Sequence, residues 1–273
     1  MSATIHARPT LNIKPLSASW EDVYHANLLQ TFLHPEQELI NHTFELGRFG
    51  PREILNPARG FRKEFSEAMA EWVINGGIDV TDRMKELNPN AAKFGTFFDN
   101  GDMQLITAYG PRIQFQTAHV LRELIRDPNS RRACIMMLGE HDQHVARALA
   151  DGETNCEYLC TYAFNFRIRE GAVDMHVSMR SNNYTTTVCQ DVFVFDRLQQ
   201  YIAAELSMPA GKYYHHTVSG HILPGEVERA TEILRAYIQA SANEHGPVVW
   251  TAENGWFAGV RQFTQVCYER GLA

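Results

Sequence analysis

Two stretches in the middle of the chain alternate between apolar and polar residues, which is the pattern of half-buried β-strands. The first stretch begins after Cys160, and the second ends in the sequence M-R-S-N, which contains Arg180. The dipeptide Glu170-Gly171 separates them and has the composition of a tight turn. The pattern predicts a β-hairpin followed by a polar loop. A thiol stands where the first strand begins, and a guanidinium stands where the second strand ends.

Apolar residues recur elsewhere at spacings of three or four, which predicts amphipathic helices. The clearest such segment spans 191–206, and further helices are predicted within 20–40 (ending before Pro35), 61–74, 116–126 and 224–242. The remaining segments predict a strand and turn at 43–56, a turn at 107–111, strands at 133–138 and 213–223, and a polar loop at 140–152. Long helices that alternate with short strands predict an α+β or mixed three-layer domain.

The length of 273 residues, 44% of them hydrophobic, suffices for one large core, and no break in the sequence favours two. We therefore expect a single domain over 1–273. The first 17 residues have few apolar side chains and two prolines, Pro9 and Pro15, which predicts an N-terminal arm. The beginning of the chain lacks the apolar core of a signal peptide, and no apolar run approaches the length of a membrane span.

A net charge of −7 argues against a broad nucleic-acid-binding face, although locally concentrated arginines still permit an anionic small molecule. The five cysteines are an odd number. Without an export signal they are expected to be reduced thiols, which favours the cytoplasm. The histidine pairs His141/His144 and His215/His216 lack a convincing set of cysteine and histidine ligands, so no metal site is predicted.

Cys160 is the candidate nucleophile. Most free cysteines are small buried hydrophobes, and that remains the alternative interpretation. However, Arg180 lies across the predicted hairpin, the pair Arg131-Arg132 adds a second cationic cluster, and His221 lies in another predicted strand. Cations near a thiol lower its pKa and raise its thiolate fraction, which suits a nucleophile beside an anion site.

The order and spacing of these residues resemble the thymidylate synthase family, which includes the cytidylate hydroxymethylases. The resemblance covers about 72–221 and rests on A-Y-G at 108–110, D-P-N-S-R-R at 127–132, Cys160, M-R-S-N twenty positions later, Asp191, and H-T-V-S-G-H-I-L at 216–223. It implies a three-layer fold with a mixed β-sheet packed by helices, in which one face of the sheet forms a homodimer interface.

The resemblance also implies a role for each matching residue. Cys160 looks like the nucleophile that adds to C6 of a pyrimidine nucleotide, and Tyr109 like the tyrosine that assists removal of the C5 proton. Binding roles are implied for the phosphate ligands Arg180 and Ser181 with their neighbour Asn182, for the sugar-contacting His221, for Arg131 and Arg132 reaching across the dimer to the partner's phosphate, and for an N-terminal phosphate arginine, Arg48 or Arg52.

Asp191 bears on the choice of base. The family has asparagine at this position in uridylate enzymes and aspartate in cytidylate hydroxymethylases. Cytosine reverses the donor and acceptor pattern of uracil, and a protonated carboxyl group can donate to N3 while accepting from the amino group. The alternative is that Asp191 caps the helix that follows it. Thr161, where the synthases typically carry histidine, also fits the hydroxymethylases, or it is simply a β-branched strand residue.

Some residues depart from the family pattern. The catalytic glutamate is expected where Met69 stands, and Glu71 or Glu67 on the same predicted helix is the candidate substitute. Leu223 replaces a sugar-contacting tyrosine. In the folate site, Asn183 replaces an aspartate that contacts the pterin, and the aromatic faces available for stacking are Phe94, Phe97 and Phe98.

The sequence thus predicts transfer of a hydroxymethyl group from 5,10-methylenetetrahydrofolate and water to C5 of CMP or dCMP. The alternative within the family is a thymidylate synthase or uridylate hydroxymethylase that acts on dUMP. Two other classes stay open, namely a catalytically silent nucleotide-binding relative and a cysteine hydrolase that pairs Cys160 with His176 or His221.

Overall fold

A computed structural model describes residues 19–92, 96–97, 103–105, 107–152, 158–245 and 256–272. The predicted arm at 1–17 and the candidate Phe94 lie outside these residues. The helices are α1 (Trp20–Leu33), α2 (Lys63–Ile74), α3 (Asp82–Leu87), α4 (Tyr109–Arg126), α5 (Gln143–Ala150), α6 (Val188–Glu205), α7 (Val227–His245) and α8 (Trp256–Glu269). The strands are β1 (Glu38–Leu46), β2 (Thr96–Phe97), β3 (Met103–Gln104), β4 (Cys134–Met136), β5 (Thr161–Arg169), β6 (Ala172–Asn183) and β7 (Ala210–His221).

A five-stranded mixed sheet is the centre of the fold, in the order β1-β7-β6-β5-β4. All neighbouring strands are antiparallel except β6 and β7, which are parallel. Parallel neighbours require a crossover connection, and helix α6 supplies it. The predicted α+β class with a mixed sheet packed by helices is therefore confirmed.

The predicted hairpin is β5 and β6. Both residues of its turn have positive φ, 50° at Glu170 and 70° at Gly171, which matches the twist of a two-residue hairpin. At the open end of the hairpin the register pairs Thr161 with Met179, so Cys160 and Arg180 lie next to each other at the same end of the two strands.

The core lies between the sheet and the helices, and α6 is its main helical component. The residues Val192, Phe195, Leu198 and Ile202 recur at helical spacing and are buried. Strand residues of the facing side are equally buried, among them Phe164, Phe166, Met175 and Val177. The helix that the sequence predicted most clearly is thus the one that crosses over the sheet.

Three segments differ in the structure from what the sequence predicted. The turn expected at 107–111 is wrong, because α4 already begins at Tyr109, and Pro111 is tolerated in a first helical turn, where its missing N–H has no partner to lose. The loop expected at 140–152 contains α5, and Asp142 before it forms a buried ion pair with Arg112 at 2.7 Å. The helix expected at 224–242 is α7, and a further helix, α8, follows it in a segment for which the sequence predicted no element.

Candidate active site

A cavity of about 380 Å³ opens where the strands β5, β6 and β7 meet the N-terminal ends of α4 and α6. Residues that the sequence analysis singled out line this cavity: Tyr109, Cys160, Ser181, Asn182, Asn183, Asp191, His221 and Leu223. They come from five separate segments of the chain. The fold therefore brings the thiol, the phenol, the carboxyl group and the imidazole to one place.

Cys160 is half-buried and lies at the cavity wall. The backbone amide of Arg180 donates to its carbonyl oxygen at 2.7 Å, which fixes the cysteine against β6. A register shift between Thr161 and Ala163 follows directly, and such bulges re-aim side chains near the end of a strand. Cys189, in contrast, is fully buried, and burial raises its pKa to about 11.

The hydroxyl group of Tyr109 lies 3.0 Å from Oγ1 of Thr161, which is completely buried. Gly110 makes this position of the tyrosine attainable. A Cβ atom at Gly110 would lie 2.6 Å from the backbone nitrogen of Gly77, so only glycine lets α4 begin so close to the loop after α2. The A-Y-G motif thus combines a side chain that lines the cavity with a packing requirement.

Asp191 is the fourth residue of α6, which begins at Val188 after the cap position Thr187. The interpretation of Asp191 as the N-cap is therefore wrong, since the helix begins three residues earlier than the apolar pattern indicated. The first turn still favours a negative charge, because the unpaired backbone N–H groups there carry partial positive charge. The structure directs Asp191 to the cavity, beside Gln190 of the same turn.

Two asparagines at the end of β6 are held by hydrogen bonds. The side-chain amide of Asn182 donates to Nε2 of the buried His215 at 3.2 Å and accepts from Thr187 Oγ1 at 3.0 Å. Burial lowers the pKa of His215 to about 3, so the imidazole is neutral and can accept this bond. Asn182 therefore presents a fixed side chain to the cavity.

Asn183 organises the loop that leads into α6. Its side-chain oxygen accepts the backbone N–H groups of Thr185 and Thr186, and its Nδ2 donates to Glu226 at 2.6 Å. A carboxylate at this position could accept the two backbone bonds but could not donate to Glu226. Asn183 stands where the family has aspartate, and its amide group is paired with the neighbouring carboxylate of Glu226.

The arginines predicted to bind phosphate do not line this cavity. Arg180 points to the other face of the sheet, where its guanidinium donates to the carbonyl oxygens of Leu159 and Tyr158 at 2.9 and 2.8 Å. Arg131 is exposed, and Arg132 pairs with Glu123 at 2.6 Å at the end of β4 remote from Cys160. Both lie outside the cavity of their own chain.

The N-terminal arginines are also remote. Arg48 forms an ion pair with Glu170 at 3.1 Å, at the hairpin turn. This turn lies a full strand length, about 30 Å, from Cys160. Arg52 is buried in an ion pair with Asp196 at 2.8 Å. The structure thus does not bring Arg48 to the cavity of its own chain, because the end of β1 pairs with the beginning of β7.

The glutamates on α2 are not brought to the cavity either. Glu67 and Glu71 are exposed, whereas the cavity-lining residues of α2 are Met69, Trp72 and Val73. A helix presents positions one apart to directions about 100° apart, so Glu71 cannot share the direction of Trp72. His176, weighed as a partner for a hydrolase, stacks on Tyr214 at 4.4 Å on the opposite face of the sheet.

Several residues that line the cavity are not predicted from the sequence: Met69 as a wall residue, Thr107, Thr186, Thr187, Gln190 and Val194. Val194 lies three positions after Asp191 and four after Gln190, so its side chain neighbours each of them on the helix surface, and that spacing was the available signal. Within the described residues, no group of three or more histidine, cysteine, aspartate or glutamate side chains is arranged to hold a metal ion. None of the described helices combines the length and apolarity that a membrane crossing requires.

The family model "Thymidylate synthase" matches residues 78–244, which is more than half of the chain. The chain therefore belongs to the thymidylate synthase family. It is also similar to a deoxyuridylate hydroxymethyltransferase of Bacillus phage SP01, with 24% identity over 216 residues that cover 70% of this chain and 52% of the relative. The chain thus spans about half the length of this relative. The matched region of the family contains Tyr109, Cys160, Asp191 and His221, whereas α2 precedes it.

Proposed function

We propose that the protein transfers a one-carbon unit from 5,10-methylenetetrahydrofolate to C5 of a cytidine monophosphate, CMP or dCMP. Addition of water to the transferred methylene group then gives a hydroxymethyl group. The observation that carries this proposal is that Cys160 and Asp191 line one cavity in a chain of the thymidylate synthase family. A nucleophile for C6 and a selector for the pyrimidine edge therefore face the same space.

The thiolate of Cys160 solves the central chemical difficulty. C5 of a pyrimidine is a weak nucleophile, and addition of sulfur at C6 converts C5 into an enolate-like or enamine-like carbon. That carbon forms the bond to the methylene group, which the folate supplies. Removal of the C5 proton, release of tetrahydrofolate and addition of water to the exocyclic methylene then give the hydroxymethyl group, and elimination of Cys160 restores the ring double bond.

Tyr109 is positioned for the proton transfer. Its hydroxyl group is hydrogen-bonded to Thr161, the residue next to the nucleophile, so the phenol and the thiol face the ring from adjacent elements. A phenol that exchanges protons through such a bond, or through a water molecule, can assist removal of the C5 proton.

Asp191 supports cytosine as the base. A neutral carboxyl group can donate to N3 and accept from the 4-amino group, and a carboxylate can accept from both N3–H and the 4-amino group when the ring is protonated. An ionised carboxylate has no donor for O4 of uracil. The phosphate would meet Ser181 of the same chain, with Arg180 next to it in sequence on the opposite face of the sheet.

The apolar residues of the cavity fit the folate ring system. Met69, Trp72, Val73 and Leu105 form a wall that a planar heterocycle can cover, and polar groups of Asn183 and Thr186 lie in the same cavity. Pockets for such ligands are mostly apolar with a few polar groups that fix orientation. The predicted contact of Phe94 lies outside the described residues.

A homodimer would complete the phosphate site. The face of the sheet opposite the helices carries the exposed side chains Met136 and Val218, with 54% and 37% of their surface accessible. Arg180 lies on this face, and Arg131 and Arg132 extend from the loop before β4, towards the other end of the strands. We propose that a second copy covers this face and that its Arg131 and Arg132 reach the nucleotide phosphate.

The second candidate is a hydroxymethyltransferase of deoxyuridylate. The phage relative is named for that substrate, and its similarity extends over most of this chain. This candidate differs from the first only in the base, so Asp191 would then serve the uracil edge.

Incubation of the protein with 5,10-methylenetetrahydrofolate and CMP, dCMP or dUMP separates these candidates, with products resolved by mass spectrometry. We expect 5-hydroxymethylcytidylate from CMP or dCMP. Release of tritium from the C5-labelled nucleotide reports the adduct and should disappear in Cys160→Ala. Product from dUMP alone supports the second candidate. Absence of tritium release from all three nucleotides, despite binding, would indicate a silent nucleotide-binding protein.

A further inference from the structure

Two polar residues lie in line behind His221. Glu38 begins β1 and pairs with His221 across the antiparallel ladder, and Ser219 precedes His221 by two residues on the same face of β7. Ser219 Oγ donates a hydrogen bond to Glu38 Oε1, and Ser219 Oγ also lies 3.3 Å from Nδ1 of His221. A carboxylate, a hydroxyl group and an imidazole thus form a chain that ends at the cavity.

The protons in this chain have only one consistent arrangement with an ionised Glu38. A carboxylate can only accept, so the single proton of the Ser219 hydroxyl group is directed to Glu38. Ser219 Oγ can then only accept from the ring, which requires the proton of a neutral imidazole to be on Nδ1 of His221. Nε2 is left as a lone-pair acceptor.

The other ring nitrogen of His221, Nε2, is the one left to bind a ligand. His221 lines the cavity, and Ser219 engages its Nδ1 side. Leu223, two residues later, also lines the cavity and offers no polar atom, although 49% of its surface is accessible. A ligand hydroxyl group at this end of the cavity would therefore find Nε2 of His221 as its acceptor.

We propose that Glu38 and Ser219 are positioning residues that hold His221 as the Nδ1–H tautomer, so that Nε2 accepts a hydrogen bond from a sugar hydroxyl group of the nucleotide. The identity of the ligand rests on the proposed function. The tautomer does not, because it follows from contacts within the chain alone.

The tautomer can be measured without any ligand. In protein labelled with ¹⁵N-histidine, two-bond nitrogen–proton correlation spectra distinguish the two neutral forms, and His221→Asn identifies the signal among the 12 histidines. We expect the Nδ1–H form in the wild type. Ser219→Ala and Glu38→Leu should convert His221 into a mixture of tautomers, whereas Ser219→Thr and Glu38→Gln keep a hydroxyl group and an acceptor oxygen and should preserve the wild-type form.

Kinetics then test the consequence for binding. Ser219→Ala should raise KM for the accepted nucleotide about five- to tenfold, which corresponds to one hydrogen bond, and leave kcat within about threefold. A 2′,3′-dideoxynucleotide lacks the hydroxyl donors and should show little difference between the wild type and Ser219→Ala. Ser219→Thr should behave as the wild type.

Two results would overturn the proposal. An Nε2–H form in the wild type, or an Nδ1–H form unchanged in both Ser219→Ala and Glu38→Leu, would show that the chain of contacts does not set the tautomer. A tautomer as expected, combined with equal KM values for wild type and Ser219→Ala, would refute the role in sugar binding. If no nucleotide binds at all, the proposed function fails while the spectra still decide the tautomer.

Discussion

The hydroxyl group of Tyr109 is hydrogen-bonded to Thr161 Oγ1 at 3.0 Å, and this contact joins the first residue of α4 to the first residue of β5. Thr161 directly follows Cys160 in the chain. The bond therefore couples the position of the phenol to the backbone that carries the nucleophile, across two elements that are otherwise 52 residues apart.

Thr161→Val should lower the rate of C5 tritium release by about 10- to 100-fold. Valine has the same shape but no hydroxyl group, so the phenol loses its partner in a buried site. General acid–base assistance contributes about 10²- to 10⁴-fold, and the loss of this one partner should remove part of that factor. Thr161→Ser keeps the hydroxyl group and is the matched control, with activity within a few-fold of the wild type. Equal rates for Thr161→Val and Thr161→Ser would show that the contact has no role in proton transfer.

Gly110→Ala should destabilise the protein by about 1–3 kcal/mol, because the new Cβ atom would overlap the backbone of Gly76 and Gly77, which cannot yield as a flexible side chain can. Urea denaturation of the wild type and the variant measures the difference. Gly47→Ala is the control, since a Cβ atom there meets nothing within 4 Å. A Gly110→Ala variant as stable as Gly47→Ala would contradict the close approach described for α4.

Asp191→Asn should change the ratio of kcat/KM for dCMP to that for dUMP by at least tenfold in favour of dUMP. The amide donates to O4 and accepts from N3–H of uracil, which reverses the pattern that cytosine requires. Because the substitution should favour dUMP and disfavour dCMP, the ratio of the two kcat/KM values changes more than either value alone. A ratio unchanged in Asp191→Asn would mean that another residue reads the base.

Glu71→Gln should leave kcat within about threefold of the wild-type value, because Glu71 is exposed and the residues of α2 that line the cavity are Met69, Trp72 and Val73. Glu67→Gln serves as the comparison on the same helix. A loss of 100-fold or more in Glu71→Gln alone would restore the catalytic role that the sequence analysis assigned to this glutamate, and would require α2 to rotate on binding of substrates.

The stability of the protein should fall as the pH decreases from about 6.5 to 4. Burial lowers the pKa of His25 and His42 to about 4 and that of His215 to about 3, so the folded state keeps them neutral where the unfolded chain takes up protons. Each such group destabilises the folded state progressively below the unfolded pKa of about 6.5, by up to about 3 kcal/mol for a pKa that falls to about 4.

Melting temperatures measured between pH 4 and 8 test this dependence. Stability should be nearly constant above pH 7 and decrease steadily below 6.5. His215→Asn should be less stable than the wild type at pH 7 but should lose less stability on acidification, whereas the exposed His119→Gln should follow the wild-type profile. A wild-type profile that is flat down to pH 4 would exclude buried neutral histidines.

Local patterns determined a large part of this protein. The alternation on both sides of Glu170-Gly171 specified the β5–β6 hairpin, because side chains in a strand alternate between a buried and an accessible face. The spacing of Val192, Phe195 and Leu198 specified α6, since a helix must bury one continuous side. The motifs around Tyr109, Cys160 and His221 pointed to residues that the fold brings to one cavity.

Only the tertiary structure decided which groups meet. The helix position of Asp191 does not follow from the spacing of Val192, Phe195 and Leu198 alone, because Val188 and Cys189 are also buried on α6 and the helix begins three residues before Asp191. The exclusion of Glu71 and Arg48 from the cavity depends on how α2 and β1 rotate and pair against distant elements. The contact of Glu38 with Ser219, 181 residues apart, depends on β1 joining the edge of the sheet beside β7. Pairing between strands so distant in sequence is fixed by the packing of the whole core, and no local pattern contains it.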